Sequence, residues 1–171
     1  SWACWAVSWS RLTSPPKGVQ DTMPMWSPNG REILFQRLGP GEKECGLYLI
    51  PASGGEPRNV SACKRGELAS FSWFPDGHRL VGSELGAVND DDGALHVLDL
   101  DTGAWTRLPY HKAPSDIDLG PMVSPDGRWI AFRRNISLSD VWRVPVAGGE
   151  PERLTDLRAN LFGLAWTPDS R

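Results

Sequence analysis

Three short stretches of the chain carry residue types that could do chemistry. Residues 88–93 read Val-Asn-Asp-Asp-Asp-Gly, three carboxylates in a row beside a glycine. A calcium loop of the helix–loop–helix type spaces its acids at alternate positions and closes on a distal Glu. Asp90, Asp91 and Asp92 are consecutive and no Glu follows at that distance. The run therefore reads as a solvated hairpin tip whose charge discourages edge pairing. Gly82-Ser83-Glu84-Leu85-Gly86 is the string nearest to a nucleophile elbow, but Ser stands one position early and no helical segment follows. His111 shares the connection Pro109-Tyr110-His111-Lys112-Ala113-Pro114-Ser115-Asp116-Ile117-Asp118 with two carboxylates. A His with two acids serves metal binding or proton transfer, while the plainer reading is a solvated surface connection. His78 and His96 lack ligand spacing to each other or to His111. No catalytic residue, metal site or cofactor is assigned, and the chain is expected not to be an enzyme.

The elements that position these residues follow from a repeated turn. Ser27-Pro28-Asn29-Gly30, Phe74-Pro75-Asp76-Gly77, Ser124-Pro125-Asp126-Gly127 and Thr167-Pro168-Asp169-Ser170 spell one tetrapeptide four times, with the prolines 47, 50 and 43 residues apart. Pro presets φ near −65°, Asp or Asn tolerates the next position, and Gly supplies positive φ. Short runs rich in Val, Ile, Leu, Phe and Trp lie between the turns, and no long window has helical periodicity. Each unit reads as four strands; the third is Asp118 to Ser124, Arg128 to Arg134, Asp140 to Val146 and Pro151 to Thr155. Four-stranded propeller blades recur every ~40–50 residues. The fold class is therefore all-β: a β-propeller of four-stranded antiparallel blades, three full and two partial. The blades are bounded at 14–61, 62–108 and 109–155, with the outer strand of a preceding blade in 1–13 and the first strand of a following one in 156–171. Trp26, Trp73 and Trp166 precede the turns at equivalent positions and are expected to pack between blades.

Bulk properties exclude several classes. The 171 residues carry 18 Lys and Arg against 21 Asp and Glu, with no basic cluster, which argues against nucleic-acid binding. No apolar run approaches the ~20 residues that span a bilayer as a helix. Cys4, Cys45 and Cys63 are too few and scattered for a disulfide framework or a zinc knuckle.

The strings WSPNGREILF, FPDGHRLVG and SPDGRWIAF, with LYLIPASGGEPRNVS and VWRVPVAGGEPERLT, resemble the TolB-like, WD-type propeller repeats of bacteria. Residues 140–171 are especially similar to propellers fused behind winged-helix or kinase modules in bacterial regulators. The resemblance implies a six- to eight-bladed propeller used for binding inside a longer chain, in the bacterial cytoplasm or periplasm. The function expected is a non-catalytic interaction module. The alternative is the gating propeller of a prolyl-oligopeptidase-like hydrolase whose catalytic domain lies elsewhere. A third class, a lyase with a histidine-bound metal, needs histidines converging from several blades.

Antiparallel pairing puts the Pro-Asp-Gly and Gly-Gly turns on one face and the longer, more varied connections on the other. Function in repeat folds concentrates on such loop faces. The residues expected to bind a protein partner or small ligand there are Asp21, Glu67, His111, Asp116, Asp118, Arg158 and Asn160. An arc of three blades leaves apolar inter-blade surfaces open, so the chain is expected either to self-associate into a ring or to be a fragment.

Overall fold

A computed structural model describes residues 10–40, 45–62, 68–84, 93–135 and 138–170, with backbone alone at 68, 69 and 84. Among the described residues, twelve strands make three separate antiparallel sheets. The first comprises β1 (Gln20–Trp26), β2 (Glu32–Leu38), β3 (Cys45–Pro51) and β4 (Arg58–Ala62). The second comprises β5 (Leu68–Trp73), β6 (Arg79–Glu84), β7 (Leu95–Asp99) and β8 (Trp105–Arg107). The third comprises β9 (Asp118–Val123), β10 (Trp129–Arg134), β11 (Asp140–Pro145) and β12 (Glu152–Arg153). Each sheet keeps its strands in chain order, so these are three blades of a β-propeller, as the turn period predicts.

The repeated turn is built the same way each time. In blade three, Gly127 N donates to Ser124 O, and Ser124 N donates to the Trp129 carbonyl. Ser124 Oγ donates to Asp126 Oδ1 at 2.5 Å and accepts from Trp129 N at 3.0 Å. Blade one repeats this with Ser27 Oγ donating to Asn29 Oδ1 at 2.9 Å and accepting from Glu32 N at 3.0 Å. In blade two the backbone bonds are the same, but Phe74 replaces the Ser and the side-chain support comes from Asp76, accepting from His78 N and Arg79 N. The chain end closes a fourth copy, with Ser170 at φ 63° where the others have Gly. The turns stack along one face. Pro75 lies against Gly127, and Asp126 N donates to Ser170 Oγ at 3.1 Å.

Blades join through two apolar clusters and a set of hydroxyl bonds. Leu34, Leu47 and Leu49 of blade one meet Phe71, Trp73, Leu80 and Leu98 of blade two. Phe74, Val81 and Leu95 of blade two meet Val123, Ile130, Phe132 and Val144 of blade three. Each such fully buried side chain contributes about 1.5–3 kcal/mol. Between the inner strands, Ser70 Oγ accepts from Gly120 N at 3.0 Å and Ser72 Oγ from Val123 N at 3.2 Å. Trp105 Nε1 donates to Ser61 Oγ at 3.0 Å, tying blade two to blade one.

Tryptophan placement follows which neighbour is present. Trp73 is buried between blades, and Trp166 Nε1 donates to Met122 O at 2.8 Å. Trp26 is 58% exposed, on the side where no blade precedes it among the described residues. Residues 161–170 lie beside β9 without ladder pairing, and Phe162 is 92% exposed. Cys45 is disulfide-bonded, which the cysteine count did not reveal; Cys4 and Cys63 fall outside the described residues.

Two glycines test the backbone account. Gly120 has φ 64° at the bulge in β9 with open space around a would-be Cβ, so strain alone opposes substitution there. Gly148 has φ 89°, and a Cβ would collide with the Pro109 carbonyl oxygen. Urea unfolding is expected to show Gly120→Ala losing about 1 kcal/mol and Gly148→Ala on the order of 3 kcal/mol. Equal losses would contradict the close approach of the linker to the Gly148-Gly149 turn.

Candidate functional site

The loop edge of blade three is organised by a buried charge pair. Asp118 opens β9, Arg134 closes β10, and the antiparallel register makes them direct partners. Arg134 donates Nε to Asp118 Oδ1 at 2.7 Å and Nη2 to Oδ2 at 2.9 Å. Asp118 is fully buried, 0% exposed. Burying a charge is costly unless every lone pair finds a partner. Here Tyr110 Oη donates to Asp118 Oδ2 at 2.7 Å while accepting from Leu95 N at 3.1 Å. The Arg134 guanidinium also lies over the Phe132 and Trp142 rings, 5.5 and 4.6 Å from their centroids. Burial pushes the Tyr110 hydroxyl upward, and the Asp118 charge pushes it further, so it stays protonated.

The arrangement recurs in blade one. Asp21 and Arg37 are cross-strand partners of β1 and β2, joined by two bonds of 2.7 and 2.8 Å. Arg37 lies over Phe35 and Tyr48, at 5.3 and 4.9 Å. The bond from Arg37 holds the Asp21 carboxyl below its usual value against the opposing effect of burial, with the Thr13 hydroxyl assisting. Thr13 precedes Asp21 by the eight positions that separate Tyr110 from Asp118. Blade two has Leu68 and Glu84 at the pair's positions, so its sequence carries no such pair.

Outside each pair lies a cleft. That of blade three, about 390 Å³, is lined by Asp116, Arg134, Asn135, Asp140, Trp142 and Arg153, with Leu138 and Arg158 at its rim. That of blade one, about 260 Å³, is lined by Val19, Arg37, Gly46, Tyr48 and Asn59 among others. The two are repeat-equivalent. Arg37 and Arg134 correspond, Tyr48 and Trp142 pair with Phe35 and Phe132, and Asn59 and Arg153 face that aromatic. Asp140 accepts from Leu157 N at 2.6 Å, Thr155 Oγ1 at 3.1 Å and Arg153 Nη2 at 2.6 Å. Burial raises its carboxyl, and these donors with the Arg158 amide outweigh that and hold it below the usual range.

Of the residues that the sequence singles out, the blade-three cleft brings together Asp116 and Arg158. Asp21 and Asp118 lie in the two charge pairs. His111 is an exposed linker residue whose amide donates to Gly149 O at 3.2 Å. Asn160 is exposed just past the Ser139–Ala159 bridge. Glu67 lies outside the described residues, as do residues 88–92 of the acidic run. The other histidines lie apart: His78 Nδ1 is 3.2 Å from Asp101 Oδ2, and His96 is buried with Nδ1 3.2 Å from Ala94 O. Sequence reasoning missed Arg37 and Arg134, although each stands nine residues after a turn proline whose matching Asp stands seven before it.

No family model matches the chain. It is 35% identical over 113 residues to an uncharacterised protein of Agrobacterium fabrum, covering 64% of this chain and 35% of that one. It is 28% identical over 155 residues to the uncharacterised peptidase YuxL of Bacillus subtilis, covering 71% of this chain and 23% of that one. The chain thus spans about a third or less of the length of these relatives. Among solved structures, TolB from Acinetobacter baumannii aligns with 88% of this chain and 36% of its own, at TM-score 0.64 and 20% identity. A putative TolB from Agrobacterium tumefaciens aligns over 80% of this chain and 62% of its own, at TM-score 0.52 and 27% identity. A prolyl endopeptidase aligns over 84% of this chain and 23% of its own, at TM-score 0.61 and 18% identity. These likenesses agree with a TolB-like propeller fold.

Removing Asp118 strands a buried guanidinium, so Asp118→Asn is expected to cost about 3–5 kcal/mol. Tyr110→Phe removes a smaller contribution, about 1–3 kcal/mol. The pH dependence has a definite sign. An unfolded Tyr ionises near 10.0, while folded Tyr110 holds its proton to higher pH. Its contribution is therefore complete below pH 10 and declines as pH rises beyond that. Chemical unfolding between pH 8 and 11 should show this decline in the native chain and a shallower one in Tyr110→Phe.

Proposed function

We propose that this chain is a non-catalytic binding module, a stretch of TolB-like propeller that contacts a protein partner or small ligand along its loop edge. The observation that carries the reading is the repeated cleft. Blades one and three each set a rigid Asp–Arg pair over aromatic rings behind a polar recess, while the charges around it differ from blade to blade. A constant scaffold with variable lining is what a recognition surface needs. A setting inside a larger bacterial regulatory protein is supported by the similarity of residues 140–171 to regulator-fused propellers. The exposed Trp26 and Phe162 at the two ends of the arc support contact with further blades or a second copy.

A second reading is favoured by the likeness to a protein named as a peptidase and to a prolyl endopeptidase. Under it the chain is the accessory propeller of a serine hydrolase, and a Gly-x-Ser-x-Gly segment further along the gene would decide for it.

The test is an assay of the 171-residue chain against chromogenic peptide anilides. The binding-module reading expects hydrolysis no faster than in buffer. Turnover that a serine-directed phosphonate abolishes would overturn it.

A further inference from the structure

The blade-three cleft has two ends of opposite charge. On the linker side stands Asp116, whose Oδ2 is 3.3 Å from Arg134 Nη1 and whose Oδ1 meets no donor among the described residues. On the far side stand Arg153 and Arg158. Arg153 makes both of its ion pairs through Nη2, to Asp140 Oδ2 at 2.6 Å and to Asp156 Oδ1. Its side-chain hydrogen bonds among the described residues also both run through Nη2. The Arg158 side chain is 72% exposed, with one ion pair among the described residues, from Nε to Asp156 at 3.4 Å. The floor between these ends is already paired, since Arg134 is held by Asp118 and Asp140 by Arg153, with the Trp142 ring alongside.

Backbone strain gathers at the same place. Among the described residues the non-glycine positions with positive φ are Met23, Asn135, Arg158 and Ser170, and Asn135 (71°) and Arg158 (47°) both line this cleft. Strained backbone persists where surrounding contacts over-determine it, and it clusters at ligand sites. Asp140 supplies that constraint at Arg158 by accepting the Leu157 and Arg158 amides, and Ile117 does so at Asn135.

We propose that the blade-three cleft binds a small zwitterion, a free amino acid or the end regions of a short peptide. Its ammonium group meets Asp116, and its carboxylate meets Arg153 and Arg158. A simple anion is disfavoured because Asp116, Asp140 and Asp156 surround the arginines, leaving no net positive field. A simple cation would meet Asp116 alone and leave the Arg153 and Arg158 end unused. A zwitterion uses both ends and adds no net charge. The cleft volume of about 390 Å³ suits a ligand of that size. Blade one supplies an internal control, because Val19, Gly46 and Asn59 replace Asp116, Asp140 and Arg153 there and remove the charged ends.

This inference rests on the binding-module reading and names the ligand for it. The test is calorimetric titration of the chain with leucine, glycyl-leucine, N-acetyl-leucine, leucinamide and inorganic phosphate. Saturable binding of leucine or glycyl-leucine is expected, at least about tenfold weaker when either charge is blocked. Asp116→Asn and Arg153→Gln should each weaken it by about tenfold or more, and Arg128→Gln on the turn face, outside both clefts, should leave it unchanged. Should Arg153→Gln fail to fold, Arg158→Gln reads the same carboxylate contact from an exposed position. Binding of leucine alone identifies a free amino acid as the ligand, and binding of the dipeptide alone identifies a peptide. Absence of binding by both zwitterions, binding indifferent to Asp116→Asn, or equal binding of phosphate would overturn the inference. Those outcomes leave the non-catalytic reading standing, because hydrolysis tests that separately.

Discussion

The interaction on which the rest of the arc depends is the buried bidentate pair of Asp118 and Arg134 with the Tyr110 hydroxyl set against it. It joins three parts of the chain: the linker leaving blade two, the first strand of blade three and the second. Leu95 N extends it into blade two. Hydrophobic burial between the blades supplies most of the attraction, but it has no direction and would tolerate blades sliding past one another. A buried charge with all its partners fixed does not tolerate that, because any shift leaves it unpaired. The Ser70 and Ser72 hydroxyls fix the inner strands of the same two blades in the same way.

This division of labour separates the two faces of the arc. The turn face repeats one construction in three of its four copies, Ser or Thr with Asp or Asn closing a tight loop, and these side chains are spent on one another and on the turn's own amides. The Asp126 carboxyl, held at about 2 first by the Ser124 hydroxyl and then by Arg128, is occupied in this way. The opposite edge keeps the Asp–Arg scaffold and changes what surrounds it. That is why the clefts of blades three and one share a frame but differ in the charges around it.

Most of the architecture was legible in the sequence because turn chemistry is local. Pro28, Pro75 and Pro125 mark where strands must reverse, and short apolar runs on either side can only be the strands. The candidate site was legible only in part. Asp116 and Arg158 stand out as charged residues in long connections, and both line the blade-three cleft. The burial of Asp118 was not legible, since a strand-opening carboxylate looks solvated until its cross-strand partner is known. Arg134 lies sixteen positions further on and is matched to Asp118 only through a register that the bulge near Gly120 shifts. The disulfide at Cys45 escaped for a similar reason: spacing along the chain says little about which residues meet in the fold.

The most direct test of this account is native-state hydrogen exchange at the Leu95 amide, compared between the native chain and Asp118→Asn. Leu95 N–H is bonded to Tyr110 Oη, and Tyr110 is held in place by Asp118. The account predicts that Leu95 is protected like a core strand amide in the native chain. In the variant it should lose that protection together with Gly120 and Val123, whose amides are bonded to Ser70 and Ser72. Leu95 protection unchanged in a folded Asp118→Asn protein would contradict the claim that the buried pair locks blades two and three together.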